Sequence, residues 1–265
     1  MRPPLFDIAA NLTAPAFHAD LEPVLARARA AGVVSLVAAG TTVDDSERAV
    51  ALAQAHRGYV WCTTGVHPHY VASCDEQSIP RLRALAGADG VVAVGECGLD
   101  FFRDLSPRPT QERWFAAQMQ LGCELGLPLY MHERDAHARF LAMVREFRPQ
   151  MLRGVVHCFT GDAAALRAYL DLDLHVGITG WICDERRGRG LQELVRVVPR
   201  ERLMVETDSP YLIPRTIVPK PKSGRNEPAH LPWVVEMVAR CRGETTEEVA
   251  ASTTQVAREF FGLTA

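Results

Sequence analysis

A (β/α)8 barrel, one α/β domain spanning residues 1–265, is the fold class that the sequence predicts, and three observations predict it. The length of 265 residues matches the roughly 250 typical of one such barrel. A hydrophobic content of 48% with 23% charged residues supplies a sizeable core and lacks the charge excess of a disordered chain. Short β-branched or apolar runs, each followed by a stretch of helical periodicity, recur along the whole chain, as parallel β/α units require.

The runs, in order, are Leu5 to Leu12, Val33 to Ala39, Tyr59 to Gly65, Val91 to Gly95, Pro128 to His132, Gly154 to Phe159, Leu174 to Thr179 and Leu203 to Asp208. Each has strand length, and eight units in this length imply a closed barrel. Helix starts are marked by Asp44 with Glu47 three residues on, by Thr110 after Pro109, and by Thr245 with Glu248 ahead of an apolar face. The segment from Ile213 to Pro228 breaks the rhythm. It holds Pro214, Pro219, Pro221 and Pro228 among Arg215, Lys220, Lys222 and Arg225, and reads as a long loop ordered by proline after the last strand. No repeat beyond the β/α unit and no low-complexity tract marks a linker or second domain.

Several function classes are excluded at this level. No run approaches the roughly 20 apolar residues that span a bilayer. The first twelve residues lack the basic, apolar and small-residue regions of a secretory signal, so a cytoplasmic location is expected. Seven scattered cysteines without a Cys-x-x-Cys pair are poor material for a disulfide framework or a structural zinc site. A net charge of −3 argues against coating nucleic acid through bulk charge, so an enzyme acting on it needs local charge or a metal.

Metal-competent residues stand where the apolar runs end: Asp7 and Asn11, His67 and His69, Glu96, His132, His157 and Asp208. In a (β/α)8 barrel the C-terminal strand ends converge on one face, so residues distant in sequence form one cluster. Imidazole from His132 and His157 with carboxylate from Glu96 suits Zn²⁺, Mn²⁺ or Fe²⁺ better than an all-oxygen Mg²⁺ cage. Asp208 is the natural general base, a carboxylate able to take the proton of an attacking water while a cation neutralises charge on the substrate. Taken singly, each residue has an ordinary structural alternative: a hydrogen-bonded histidine, a cap, or the start of a turn at Asp208-Ser209-Pro210. Their joint occurrence on separate strand ends points to hydrolysis at a metal site.

Around that cluster, Arg215, Lys220, Lys222 and Arg225 are candidates for a phosphate-binding rim, and Arg134, close after His132, is a further one. Each could equally be a solvated loop charge or, for Arg134, a partner of Asp135 or Glu133. Phe101 and Phe102 could stack on an unpaired base or merely seal a loop. Cys97 and Cys158 flank presumed ligands on strands, so they are expected to face the other way and carry no chemistry.

The motifs Phe6-Asp7-Ile8 with Asn11-Leu12-Thr13, Gly65-Val66-His67-Pro68-His69, Gly95-Glu96-Cys97-Gly98-Leu99-Asp100, Met131-His132 with Arg134-Asp135-Ala136-His137, His157-Cys158-Phe159-Thr160-Gly161, Gly177-Ile178-Thr179-Gly180, Glu206-Thr207-Asp208-Ser209-Pro210-Tyr211-Leu212 and Arg225-Asn226-Glu227-Pro228 cover nearly the whole chain. Through them the sequence resembles the TatD-type deoxyribonucleases of the metal-dependent hydrolase superfamily. The resemblance implies that Glu96, His132, His157 and Asp208 hold a divalent metal, with Asp208 the catalytic carboxylate. His67 and His69, with Arg134, would face the scissile phosphate. It implies Mg²⁺ as the cation in catalysis, with Zn²⁺ or Mn²⁺ also able to occupy the site. The implied partners are 3′ ends of single-stranded DNA or RNA, shortened from that end, and a role in repair of oxidatively damaged DNA is associated with the family.

At the first strand the chain departs from the family's usual Asp-x-His-x-His, reading Asp7-Ile8-Ala9-Ala10-Asn11. A second metal position there would lean on Asp7 and Asn11 and is expected to be weak. Two other readings stay open at this stage. One keeps the barrel and the metal but cleaves an amide or ester, as in a D-aminoacyl-tRNA deacylase; the basic Arg215 to Arg225 segment favours phosphate over that. The other is a barrel retired to a binding role, against which Glu96, His132, His157 and Asp208 are intact. No protein or membrane partner is legible, and a monomer is expected.

Overall fold

The computed structural model describes residues 3–263, so the first two and last two residues of the expected 1–265 domain lie outside the described residues. Strands and helices alternate: β1 (Leu5–Ala10), α1 (Leu21–Ala30), β2 (Val33–Ala38), α2 (Val43–Ala55), β3 (Val60–Thr64), α3 (Ser78–Ala86), β4 (Val91–Asp100), α4 (Arg108–Leu125), β5 (Leu129–Arg134), α5 (His137–Phe147), β6 (Gly154–Val156), α6 (Ala163–Asp171), β7 (His175–Ile178), α7 (Arg189–Leu194) and β8 (Leu203–Val205). Two helices, α8 (Leu231–Arg242) and α9 (Thr246–Phe260), follow. The strands form one eight-stranded sheet in sequential order. A parallel bridge joins Ala10 to Ser209. This is the (β/α)8 barrel fold, and parallel strands buried on both faces read as the apolar runs they are.

The chain contacts divide it into two groups of elements, residues 1–37, 158–163 and 176–265 in the first, and 38–157 with 164–175 in the second. In the first, all six residues of β1 are buried, and Phe6 packs against Phe261 with ring centroids 5.9 Å apart. In the second, Phe115 stacks on Phe140 at 5.2 Å, and Phe140 meets Tyr169 at 5.7 Å. All three of those rings are fully buried.

Every expected strand forms, with shifted ends. β6 and β8 stop at Val156 and Val205, short of the expected Phe159 and Asp208. Cys158 and Asp208 adopt positive φ, 48° and 52°, a left-handed conformation that ends an extended ladder. In the other direction, β4 runs on to Asp100, past the expected end at Gly95. Helix α2 is capped by Thr42, whose hydroxyl accepts from the Asp45 N–H at 3.0 Å, so Asp44 lies inside the helix rather than starting it. Similarly α4 begins at Arg108, two residues ahead of the expected Thr110, with Pro109 in its first turn. The Thr245–Glu248 capping box starts α9 as expected. Between β8 and a short 3-10 turn at Pro228–His230, no described residue lies in a helix or strand, as expected for the proline-rich loop.

Candidate metal centre

Strand β4 carries the centre of the site. Glu96 and Asp100 are four residues apart on one strand, so their side chains share a face. In the β4–β5 ladder Gly98, midway between them, pairs with His132. A Cβ at Gly98 would run into the His132 carbonyl, so glycine permits the two strands to approach there. The imidazole of His132 consequently spans both carboxylates, with Nδ1 3.1 Å from Glu96 Oε1 and Nε2 3.2 Å from Asp100 Oδ2.

Two further histidines converge on the same Glu96 oxygen. His157, just beyond β6, places Nε2 2.7 Å away, and its ring stacks on Tyr130 at 4.7 Å. His67, in the turn after β3, places Nε2 3.2 Å away. The His69 N–H donates to Nδ1 of His67 at 3.0 Å, which orients that ring. His69 itself turns Nε2 to Asp100 Oδ2 at 2.7 Å. Asp100 Oδ1 accepts the backbone N–H groups of Phe102 and Arg103 at 3.1 and 2.7 Å.

Ligand-capable atoms of His67, Glu96 and His132 all lie within 4.8 Å of one another. Burial would raise the Glu96 carboxyl, but the imidazoles of His157, His67 and His132 outweigh it and hold Glu96 well below the usual carboxylate range. Burial likewise opposes charge on Asp100, and the His132 and His69 contacts with the Arg103 N–H overcome it, lowering that group too. Burial pulls His67 down to about 4 despite Glu96 beside it, so it is neutral at ordinary pH and able to ligate. For His132 burial works against the charged form, yet Asp100 and Glu96 together raise it above the ordinary imidazole value. Nitrogen and carboxylate donors around anionic Glu96 fit a divalent cation.

In the sequence Asp100 stands only as the last residue of the Gly95–Asp100 motif. The signal that could have found it is its even spacing from Glu96, legible only once β4 is read through both glycines.

Asp208 and the first-strand residues form a separate hydrogen-bonded frame. The Asp208 N–H donates to Ala9 O at 2.8 Å, and the Asn11 amide donates to Asp208 Oδ1 at 3.0 Å. Asp7 is fully buried; Thr207 donates to its two oxygens through N–H at 2.8 Å and hydroxyl at 2.6 Å, and the Ala9 N–H adds a 3.3 Å contact. Burial pushes Asp7 up to about 8 against the pull of Thr207. Both Asp7 and Asn11, considered for a weak second ion, are thus engaged in holding the Thr207–Ser209 segment.

The remaining residues divide. Arg134 lies over the Phe102 ring at 4.0 Å, and Arg108 over Phe101 at 4.4 Å. Phe102 is exposed and Phe101 half-buried, and both follow β4 directly. Lys220 and Lys222 are exposed. Arg215 pairs with Asp184 at 3.1 Å. Arg225, grouped with the rim on charge alone, instead binds Asp20 and Glu227, each at 2.7 Å, and the Ala16 carbonyl at 2.6 Å. Its donors are met within the fold. Cys97 is fully buried against the Tyr130 carbonyl, and burial pushes its thiol up, consistent with no chemical role.

Comparison with known proteins places this geometry in context. The chain is 48% identical over 259 residues, 98% of its length and all of the relative's, to a 3′-5′ ssDNA/RNA exonuclease TatD of Pantoea ananatis (strain LMG 20103). It is 46% identical, over 98% of its length and all of the relative's, to the protein of the same description in Erwinia amylovora. Among solved structures, a TatD homolog from Escherichia coli K12 superposes with TM-score 0.89 at 25% identity, covering 97% of this chain and 98% of that one. A hydrolase TatD family protein from Entamoeba histolytica shares the fold, with TM-score 0.90 at 23% identity over the whole of both chains. The family model for TatD related DNase matches residues 6–262, and the chain belongs to that family.

Proposed function

We propose that the chain is a divalent-metal-dependent nuclease that shortens single-stranded DNA and RNA from the 3′ end, with residues 1–265 forming one catalytic domain. The observation that carries this reading is the convergence of His67, His132 and His157 on one oxygen of Glu96, in a chain of the TatD related DNase family.

His67, Glu96, His132 and His157 would hold the ion, His67 being moved from the phosphate-facing group to the ion-holding one because its Nε2 reaches Glu96. The mixed nitrogen and oxygen donors favour Zn²⁺ or Mn²⁺ at rest, with Mg²⁺ able to serve in catalysis. When bound, the cation supplies charge neutralisation at a phosphoryl oxygen and a more acidic water. Asp100 fixes the rings of His132 and His69. His69 and Arg134 contact substrate phosphate, and Phe101 and Phe102 offer aromatic faces to unpaired bases. Asp208, held by Asn11, accepts the proton of the attacking water and serves as a further ligand. Arg215, Lys220 and Lys222 extend the cationic rim.

The test is a polarity assay on single strands labelled at the 3′ or the 5′ end, with and without chelator. Stepwise loss from the 3′ end that requires a divalent cation is expected. Equal rates in excess chelator, or release of label only from the 5′ end, would overturn the reading.

A further inference from the structure

Tyr70 is half-exposed at 49%, yet its ring lies close to two histidines of the cluster around Glu96 and Asp100. Its centroid is 6.1 Å from that of His67 and 6.3 Å from that of His69. The backbone beneath it is pinned on both sides. The Tyr70 N–H donates to His67 O at 2.8 Å, and its carbonyl accepts from the Ser73 hydroxyl at 2.7 Å. Ser106 ties the turn to the segment after β4, donating from its hydroxyl to His69 O at 3.0 Å.

An aromatic ring sealing a loop is covered by that loop; this one is left half open on a rigid turn. Tyrosine offers a broad apolar face with few torsions to freeze, so a platform fixed in advance binds a flat partner at low entropic cost. A nucleobase is such a partner, and stacking on an aromatic ring is tolerant of base identity.

We infer that Tyr70 is the stacking platform for the base of the 3′-terminal nucleotide, seating that base beside His67 and His69 while its phosphate is presented to His69. The inference rests on the nuclease reading and adds a substrate contact to it. It also accounts for single-strand selectivity, because a base must leave its pair and its stack before a side chain can receive its face.

The experiment is a cycle of two changes, Tyr70→Ala in the protein and removal of the 3′-terminal base, leaving an abasic sugar, in the strand. Steady-state 3′ shortening is followed with cation present. Tyr70→Ala raises KM for the ordinary strand by about 5- to 100-fold, with kcat changed little, and Tyr70→Phe and Tyr70→Trp retain the wild-type KM. The abasic terminus raises the wild-type KM comparably, and adding Tyr70→Ala on that strand has little further effect, the non-additivity expected of two changes that remove one contact. Equal penalties on both strands, or a Tyr70→Phe loss as large as that of Tyr70→Ala, would overturn the platform. The wild-type arm stands even where the variant fails to fold, since an unchanged KM for the abasic strand overturns the proposal alone. Absence of any 3′ shortening by the wild type removes the nuclease reading, and the platform with it.

Discussion

Asp100 Oδ2 stands 2.7 Å from Nε2 of His69 and reaches His132 as well, so one carboxylate sets two rings of the cluster. An Asp100→Asn variant keeps the side chain's size but loses the charge that orients both. We expect it to bind Zn²⁺ or Mn²⁺ about 10- to 100-fold more weakly, the usual cost of removing a carboxylate behind a ligating histidine. Calorimetric titration of the purified variant checks this. Wild-type affinity would show that the rings are oriented without Asp100.

The cluster also predicts a pH dependence. Burial disfavours charge on His132, but Asp100 and Glu96 hold its proton above the ordinary 6.5, and a cation must displace that proton to use the nitrogen. Affinity should therefore climb as the pH rises through and beyond 6.5. Titrations between pH 6 and 8 that give one constant affinity would contradict the assignment of His132 as a ligand.

Asp208→Asn should leave the fold and most cation affinity in place and reduce turnover by roughly 100- to 10,000-fold, because an amide cannot take a proton from water. Asn11→Ala removes the amide that donates to Asp208 Oδ1 at 3.0 Å. It should cost less than Asp208→Asn and act on kcat more than on KM, since the carboxylate remains but is no longer aimed. Single-turnover rates on a 3′-labelled strand separate the two effects, and an Asp208→Asn enzyme with wild-type turnover would remove Asp208 from the mechanism.

How legible was this in the sequence? The apolar runs located all eight strands because parallel strands are buried on both faces, and that signal survives without knowledge of partners. The apolar run at β4 ends early in the sequence because Gly95 and Gly98 have low strand propensity, although Gly98 is there to admit the β5 backbone. Losing those last residues hid Asp100. Glu96, His132, His157 and His67 were found by residue type at strand ends, while the sharing of one Glu96 oxygen depends on ladder register, which no local pattern encodes. Arg225 reads as a rim residue from composition, which reports charge and not the partners that absorb it. Tyr70 carried no pattern at all.

Arg225 yields a prediction of its own. Arg225→Ala should lower Tm by a few degrees through lost contacts to Asp20, Glu227 and Ala16, with little change in KM for a single strand. Burial opposes charge on Glu227, but Arg27 and Arg225 hold its carboxyl below the ordinary glutamate value of 4.5. A carboxyl lowered in the folded state contributes stability above its unfolded value, and that contribution is lost as the pH falls through the folded one. The Tm gap between wild type and variant should accordingly narrow below about pH 4.5. A gap that persists unchanged to pH 3 would place the stabilisation in packing and not in these ion pairs.

Gly177 faces the Glu206 carboxylate so closely that a Cβ would fall 2.8 Å from Oε2 and 2.9 Å from Oε1. That carboxylate accepts the backbone N–H of Cys158, in the left-handed turn that follows His157. Gly177→Ala should destabilise the protein by about 1–3 kcal/mol, the usual range for overpacking a buried position. Urea denaturation gives the value directly, and an unchanged midpoint would mean that Glu206 moves aside freely.

Of the residues proposed to hold the ion, His67, Glu96, His132 and His157 all precede β7, and Asp208 comes well after them. Translation proceeds in that order. A chain interrupted between β6 and β8 would carry the cation-binding side chains without the carboxylate assigned to move the proton, and without the strand before it. Under the proposed roles, the proton-accepting carboxylate is therefore the last part of the site to be supplied, at the end of the last strand.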